Sequence, residues 1–207
     1  MQKFLMVGVG LAVAVLAATG AQAAEKRLSV AAFHGLRTSA GIEVDASIGP
    51  ASVVAVGADE DLARLKVEVR DGVLVFSRQS WWGRSGPIRV QVQAPSLDRF
   101  EASSSGEIRA DGLSGGIVAE ASSGGEVRLS GACSSLRAEA SSGAEIDAQA
   151  LRCASVEASA SSGANVGGYA SAEVNASASS GGDVMISGNP KSVQKSSSSG
   201  GEVRIGG

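Results

Sequence analysis

Ala140-Ser141-Ser142-Gly143-Ala144-Glu145-Ile146 reads as a strand end, a turn and a new strand: small residues, two serines and a glycine, then a carboxylate and an aliphatic side chain. Near-copies begin at Ala102, Ala121, Ala160, Ala178 and Ser197. They end on Ile108, Val127, Val166, Val184 and Val203. With Ile146 included, the aliphatic positions are 19, 19, 20, 18 and 19 residues apart. A near-constant period of this size marks one supersecondary unit stacked on itself.

Within one unit, Leu136, Ala138 and Ala140 alternate with Arg137 and Glu139, a strand with one apolar face. Ser141 to Ala144 turns the chain, and Ile146 and Ala148 alternate with polar neighbours in a second strand. Leu151 opens a short third side that leads to Val156. Strands of ~5 residues joined by tight turns cannot bury their apolar faces alone. Winding them into coils ~4.8 Å apart solves this, each strand pairing in parallel with its equivalent one coil on. The sequence therefore predicts an all-β, single-stranded parallel β-helix, a right-handed solenoid with ~19-residue coils. Its core is thin: Ala102, Ala121, Ala140, Ala160 and Ala178 fill one inward column, Ala119, Ala138, Ala158 and Ala176 another. A helical reading fails, because the Ser-Ser-Gly breaks recur too often and the alternation has period two.

Residues 24–95 follow the same logic less regularly. Ile42–Val44, Ser52–Val56, Leu65–Val69, Val73–Phe76 and Ile88–Val92 read as strands, and Asp71-Gly72 as a hairpin turn. This part carries Phe33, Phe76, Trp81, Trp82 and Phe100 and is expected to cap one end, with 96–207 forming the regular coils. Residues 1–23 read as a signal peptide: Lys3, an uncharged stretch from Leu5 to Ala18, and the A-x-A site Ala21-Gln22-Ala23. That stretch is shorter than the ~20 residues a bilayer span needs. The expected mature chain is one domain, 24–207, secreted to the periplasm or cell surface and not membrane-spanning. A net charge of -3 with 3% aromatic residues gives no basic footprint for nucleic acid.

The run from Gly72-Val73-Leu74-Val75-Phe76 through Ala94-Pro95-Ser96-Leu97 to the repeated units resembles the GIN-domain family, described as autotransporter adhesin heads of largely unknown function. The resemblance covers Phe33 to Val203. The family's usual repeat reads Ser-Gly-Ser-Gly-Asp/Glu-aliphatic, whereas this chain mostly has Ser-Ser-Gly-Gly/Ala-Glu, which keeps the turn chemistry. The resemblance implies a β-helical fold and an envelope location, and it supplies no catalytic residues to transfer.

Four features invite chemistry. Glu107, Glu126, Glu145, Asn165, Asp183 and Glu202 form a column that is either a cation ladder, with Ca²⁺ as the natural ion, or a solvated edge neutralised by Arg109, Arg128 and Arg204. The second reading needs no ligand. Two columns of turn serines are expected to bond along the stack, and with His34 remote in sequence they lack a base for nucleophilic work. Cys133 and Cys153, one coil apart in an oxidising compartment, are expected to form a disulfide. Trp81 and Trp82, in a loop between strands, either plug the end of the stack or contact a ligand.

The sequence as a whole points to a secreted, non-catalytic envelope protein with a structural or adhesive role and no cofactor. Its expected partners are a glycan, a cell-surface protein, or a second copy meeting it through solenoid ends or edges. The alternative is a polysaccharide-binding or polysaccharide-cleaving β-helix.

Overall fold

A computed structural model describes residues 24–79 and 85–206. The expected signal peptide and the Trp81-Trp82 pair lie outside the described residues. Sixteen strands and one helical turn follow in chain order: β1 (Ala24–Arg27), β2 (Gly35–Thr38), β3 (Ile42–Ile48), β4 (Ser52–Gly57), α1 (Asp59–Leu62), β5 (Leu65–Arg70), β6 (Val73–Arg78), β7 (Ile88–Ala94), β8 (Arg99–Ser103), β9 (Glu107–Leu113), β10 (Gly116–Ser122), β11 (Glu126–Ala140), β12 (Glu145–Ser161), β13 (Asn165–Ser179), β14 (Asp183–Ser187), β15 (Ser192–Ser197) and β16 (Glu202–Gly206). They form a β-solenoid of about six turns with ~19-residue spacing.

Each coil has two sides. One side stacks in the order β5, β6, β2, β8, β10, then the later halves of β11, β12 and β13, then β15. The other stacks β1, β4, β7, β3, β9, the earlier halves of β11, β12 and β13, then β14 and β16. Pairing is parallel except at the first end, where β1–β4, β4–β7 and β5–β6 run antiparallel. The third side expected at Leu151 is instead a bulged corner inside one continuous strand. β12 runs through it with register shifts against its neighbours, and Leu151 itself is fully buried. At the equivalent corner of β11, Gly131 has φ 129° and a Cβ there would lie 2.5 Å from the Leu113 carbonyl oxygen.

The Ser-Ser-Gly corner is a two-residue type I′ turn. Ser123, Ser142, Ser162, Ser180 and Ser199 have φ between 49° and 54°, and the glycines that follow lie between 70° and 77°. Two left-handed residues in succession are what this turn demands. The same geometry aims the glycine N–H at the next coil: Gly124 donates to the Ser142 carbonyl at 3.2 Å and Gly143 to the Ser162 carbonyl at 3.1 Å. The corner thus continues the ladder, and its backbone donors are satisfied where the strands stop.

The residue that closes each turn packs under the previous one. A Cβ on Gly125 would meet the Ala102 carbonyl oxygen at 2.4 Å, and one on Gly182 the Ala160 carbonyl at 2.6 Å. Ala144 and Ala164 nevertheless occupy the same slot, fully buried. Their turn-closing hydrogen bonds lengthen to 3.2 Å, against 2.9 Å at Gly106, Gly125, Gly182 and Gly201. The turn opens by a few tenths of an ångström to admit one methyl group.

Candidate functional site

The fold presents two flat outer faces. On the β3 side, the acidic column runs in register through Glu43, Glu107, Glu126, Glu145, Asn165, Asp183 and Glu202. Glu43 was not legible as a member. Its turn, Thr38-Ser39-Ala40-Gly41-Ile42-Glu43-Val44, lacks the Ser-Ser-Gly signature. Ala40 and Gly41 nonetheless take φ 58° and 66°, and Ile42 donates back to Ser39. Alignment with Ala140–Ile146 shows the signal that remains, a glycine at the second turn position and a Glu-aliphatic pair after it.

The column is largely self-neutralised. Arg89 sits above Glu43 and donates to it at 2.6 Å. Arg109 pairs with Glu107, Arg128 with both Glu107 and Glu126, and Arg204 with Glu202. Hydrogen bonds to Glu43 and Glu202 hold Arg89 and Arg204 above the ordinary guanidinium range. Glu126 is the strained member: its side chain is 27% exposed, and Oε1, shielded from water, accepts no well-aligned hydrogen bond although Arg128 lies against it. Burial raises its pKa, with Glu107 and Glu145 adding to the rise and Arg128 opposing it. Among the described residues, no group of three or more His, Cys, Asp or Glu side chains converges as metal ligands.

The β8 side divides along its length. Arg37, Glu101, Glu120 and Glu139 form one outward column, and Arg99 and Arg137 stand in the next. Arg99 bridges Glu101 at 2.7 Å and Glu120 at 2.9 Å, and Arg137 bridges Glu139 at 2.6 Å. Glu157 follows Arg137 in the second column and pairs with it at 3.4 Å. Beyond that the columns turn uncharged, with Ser159, Ser177 and Ser196 continuing the first and Asn175 and Gln194 the second. The serine pair that bonds along the stack, Ser177 to Ser159 at 3.2 Å, lies on this face rather than in the turns. A shallow trough of ≈ 620 Å³ runs across several coils between Gly116, Ser135 and Ser155 on one edge and Arg99, Arg137 and Asn175 on the other.

His34 Nδ1 donates to the Asp98 carboxylate at 2.7 Å, beside this trough. Of a hydrolytic triad this pair has the composition of two members, and Ser135 of the same trough is not placed to be the third. The Nε2 edge of the ring packs on Gly72, where a Cβ would lie 2.5 Å away, and Ser135 stands three strands off, about 14 Å. At the bulged corner, Cys133 and Cys153 are opposed across β11 and β12 and joined by a disulfide, their Cα atoms 4.4 Å apart. Next along that corner, the Arg152 guanidinium lies 4.2 Å over the Tyr169 ring. At the first end, Asp61 and Arg78 form a buried pair. Asp61 accepts from the Gly86 N–H at 3.0 Å, and Arg78 donates to the Gly86 carbonyl at 2.7 Å, tying Gly86 to α1 and β6. Burial lowers the Arg78 pKa and Asp61 offsets it.

These features define a class: a β-solenoid with flat, repetitive, polar outer faces. The family profile described as "Putative auto-transporter adhesin, head GIN domain" matches residues 32–190, and the chain belongs to that family. Among solved structures it is similar to a putative adhesin from Bacteroides fragilis, with a TM-score of 0.67 at 17% identity, covering 90% of this chain and 97% of that one. A putative adhesin from Parabacteroides merdae gives 0.52 at 10% identity over 89% and 96%, and one from Parabacteroides distasonis 0.50 at 13% over 89% and 96%. At these identities the likeness is one of fold. No curated protein matches the chain. No helix among the described residues is long and apolar enough to cross a membrane.

Proposed function

We propose that this chain is a secreted, non-catalytic envelope protein with an adhesive or interaction role, its side faces serving as the contact surface. The observation that carries this reading is the in-register repetition of outward polar side chains over successive coils, on a family fold named for adhesion. Such a face offers the same groups every ~4.8 Å, which suits a repetitive or extended partner. The test is to probe labelled protein of residues 24–207 against a glycan array and against intact cell envelopes. The expected result is saturable binding that falls when Arg99 and Arg137 are both changed to Glu. Binding that ignores those charges, or no binding to either target, would contradict it.

A second reading, polysaccharide recognition, draws on the trough, which crosses coils in the direction an extended chain would take. Incubation with pectin or alginate separates binding from cleavage: retention without unsaturated product supports a binding role, and product release would make the protein an enzyme.

A further inference from the structure

The trough on the β8 side is a groove between two rows of outward side chains. One row is Gly116, Ser135, Ser155 and Glu173, in register from β10 to β13. The other is Arg99, Val118, Arg137, Glu157 and Asn175, in register from β8 to β13. Between them the floor lies at Ile117, Leu136 and Val156, whose side chains are buried in the core. Gly116 leaves one rim open, since a Cβ there would meet only the Ser135 hydroxyl, at 3.4 Å. Four strand intervals, about 19 Å, separate Arg99 from Asn175, a length that suits several linked rings rather than one.

The cations of this groove are already engaged. Arg99 is held by Glu101 at 2.7 Å and by Glu120 at 2.9 Å. Arg137 is held by Glu139 at 2.6 Å and by Glu157 at 3.4 Å. A carboxylate entering the groove would have to displace one of these partners. It would also meet Asp98 and Glu173, and Glu173 has no ion-pair partner among the described residues. The uncharged groups are the free ones. Neither the Ser135 hydroxyl nor the Asn175 amide has a side-chain hydrogen bond among the described residues. A hydroxyl and a carboxamide each both donate and accept, as the hydroxyls of a sugar do. Val118, half-buried between Arg99 and Arg137 in its row, adds an apolar spot on which the C–H face of a ring can rest.

We infer that the trough takes a neutral, linear polysaccharide, with Ser135 and Asn175 as its hydrogen-bonding residues and Glu173 turning anionic chains away. The assignment rests on the reading of the trough as a polysaccharide site.

The experiment measures binding of residues 24–207 to immobilised polymers in matched pairs by biolayer interferometry at low salt. One pair is methyl-esterified polygalacturonan, which is neutral, and polygalacturonate. The other is hydroxyethylcellulose and carboxymethylcellulose. The neutral member of a pair is expected to bind more tightly than its anionic partner by about fivefold or more, the worth of one like-charge contact in water. Added salt is expected to narrow that gap, and so is Glu173→Gln. Ser135→Ala and Asn175→Ala are each expected to weaken binding of the neutral polymer by about fivefold, the worth of one hydrogen bond. Gln91→Ala, on the opposite face, is expected to change nothing. Far-UV circular dichroism establishes that each variant is folded. Anionic polymers bound as tightly as their neutral partners would overturn the inference and leave the polysaccharide reading standing. So would binding of the neutral polymer that ignores both Ser135→Ala and Asn175→Ala. Retention of neither member of either pair would overturn both.

Discussion

The two ends of the stack are built on the same columns with different filling. Toward β6 the inward slots hold Leu36, Leu74, Phe76 and Phe100, all fully buried. Past Ala119 and Ala121 the same slots hold alanine in coil after coil. Large side chains fill the end that reverses direction, takes an antiparallel hairpin and loses the repeat. An alanine core buries less apolar surface per residue, so the later coils depend more on strict register, satisfied corners and a covalent staple.

This comparison predicts opposite sensitivities. Phe100→Ala should be the most damaging single change, costing about 3–5 kcal/mol through the cavity it leaves. Its counterpart in the thin half, Ala138→Leu, should fail by overpacking at about 1–3 kcal/mol. Urea denaturation of both variants checks the pair, and equal costs would erase the distinction. In the thin half, Cys133→Ser with Cys153→Ser should lower stability by about 3 kcal/mol, the entropy of releasing a loop of this length. A thiol assay on the denatured, unreduced protein should find no free sulfhydryl, and two would show that the staple is absent.

The corners give a finer comparison. Gly125→Ala should cost about 1 kcal/mol, at the low end of overpacking, because the coils at Ala144 and Ala164 show how the turn yields. The smallest effect concerns charge. The Glu126 pKa is raised in the folded protein, so the folded state binds a proton more readily than the unfolded one. Stability should therefore drop as pH climbs through the unfolded and folded values of this carboxyl. Glu126→Gln should stabilise at neutral pH and lose that advantage in acid, read from thermal midpoints across a pH series. A gain that persists unchanged below the carboxyl range would assign the effect to packing.

The sequence makes the later coils readable because each slot repeats: the alanine columns, the six turns and the carboxylate after five of them, with Asn165 in the sixth place, all fall where the period puts them. It also shows which residues of the first end are strands. It does not show their order, with β7 between β4 and β3 and β6 beside β2. Alternation in Leu65–Arg70 or Ile88–Ala94 identifies a face, but nothing local names the partner strand once the period is gone. The Glu43 turn was hidden for a related reason: a type I′ turn tolerates Ala40 in place of serine at the first left-handed position, so geometry was kept while the signature was lost. The His34–Asp98 and Asp61–Arg78 pairs lie far apart in sequence and become visible only once the coils are stacked.

The central claim is that the irregular end and the regular coils form one continuous stack with Glu43 and Glu202 in the same column. Pulsed electron paramagnetic resonance between spin labels at these two positions reads it directly. Six strand intervals place them ~29 Å apart, and the account predicts a single narrow distribution near that value. A distance displaced by a coil or more, or a broad spread, would contradict it.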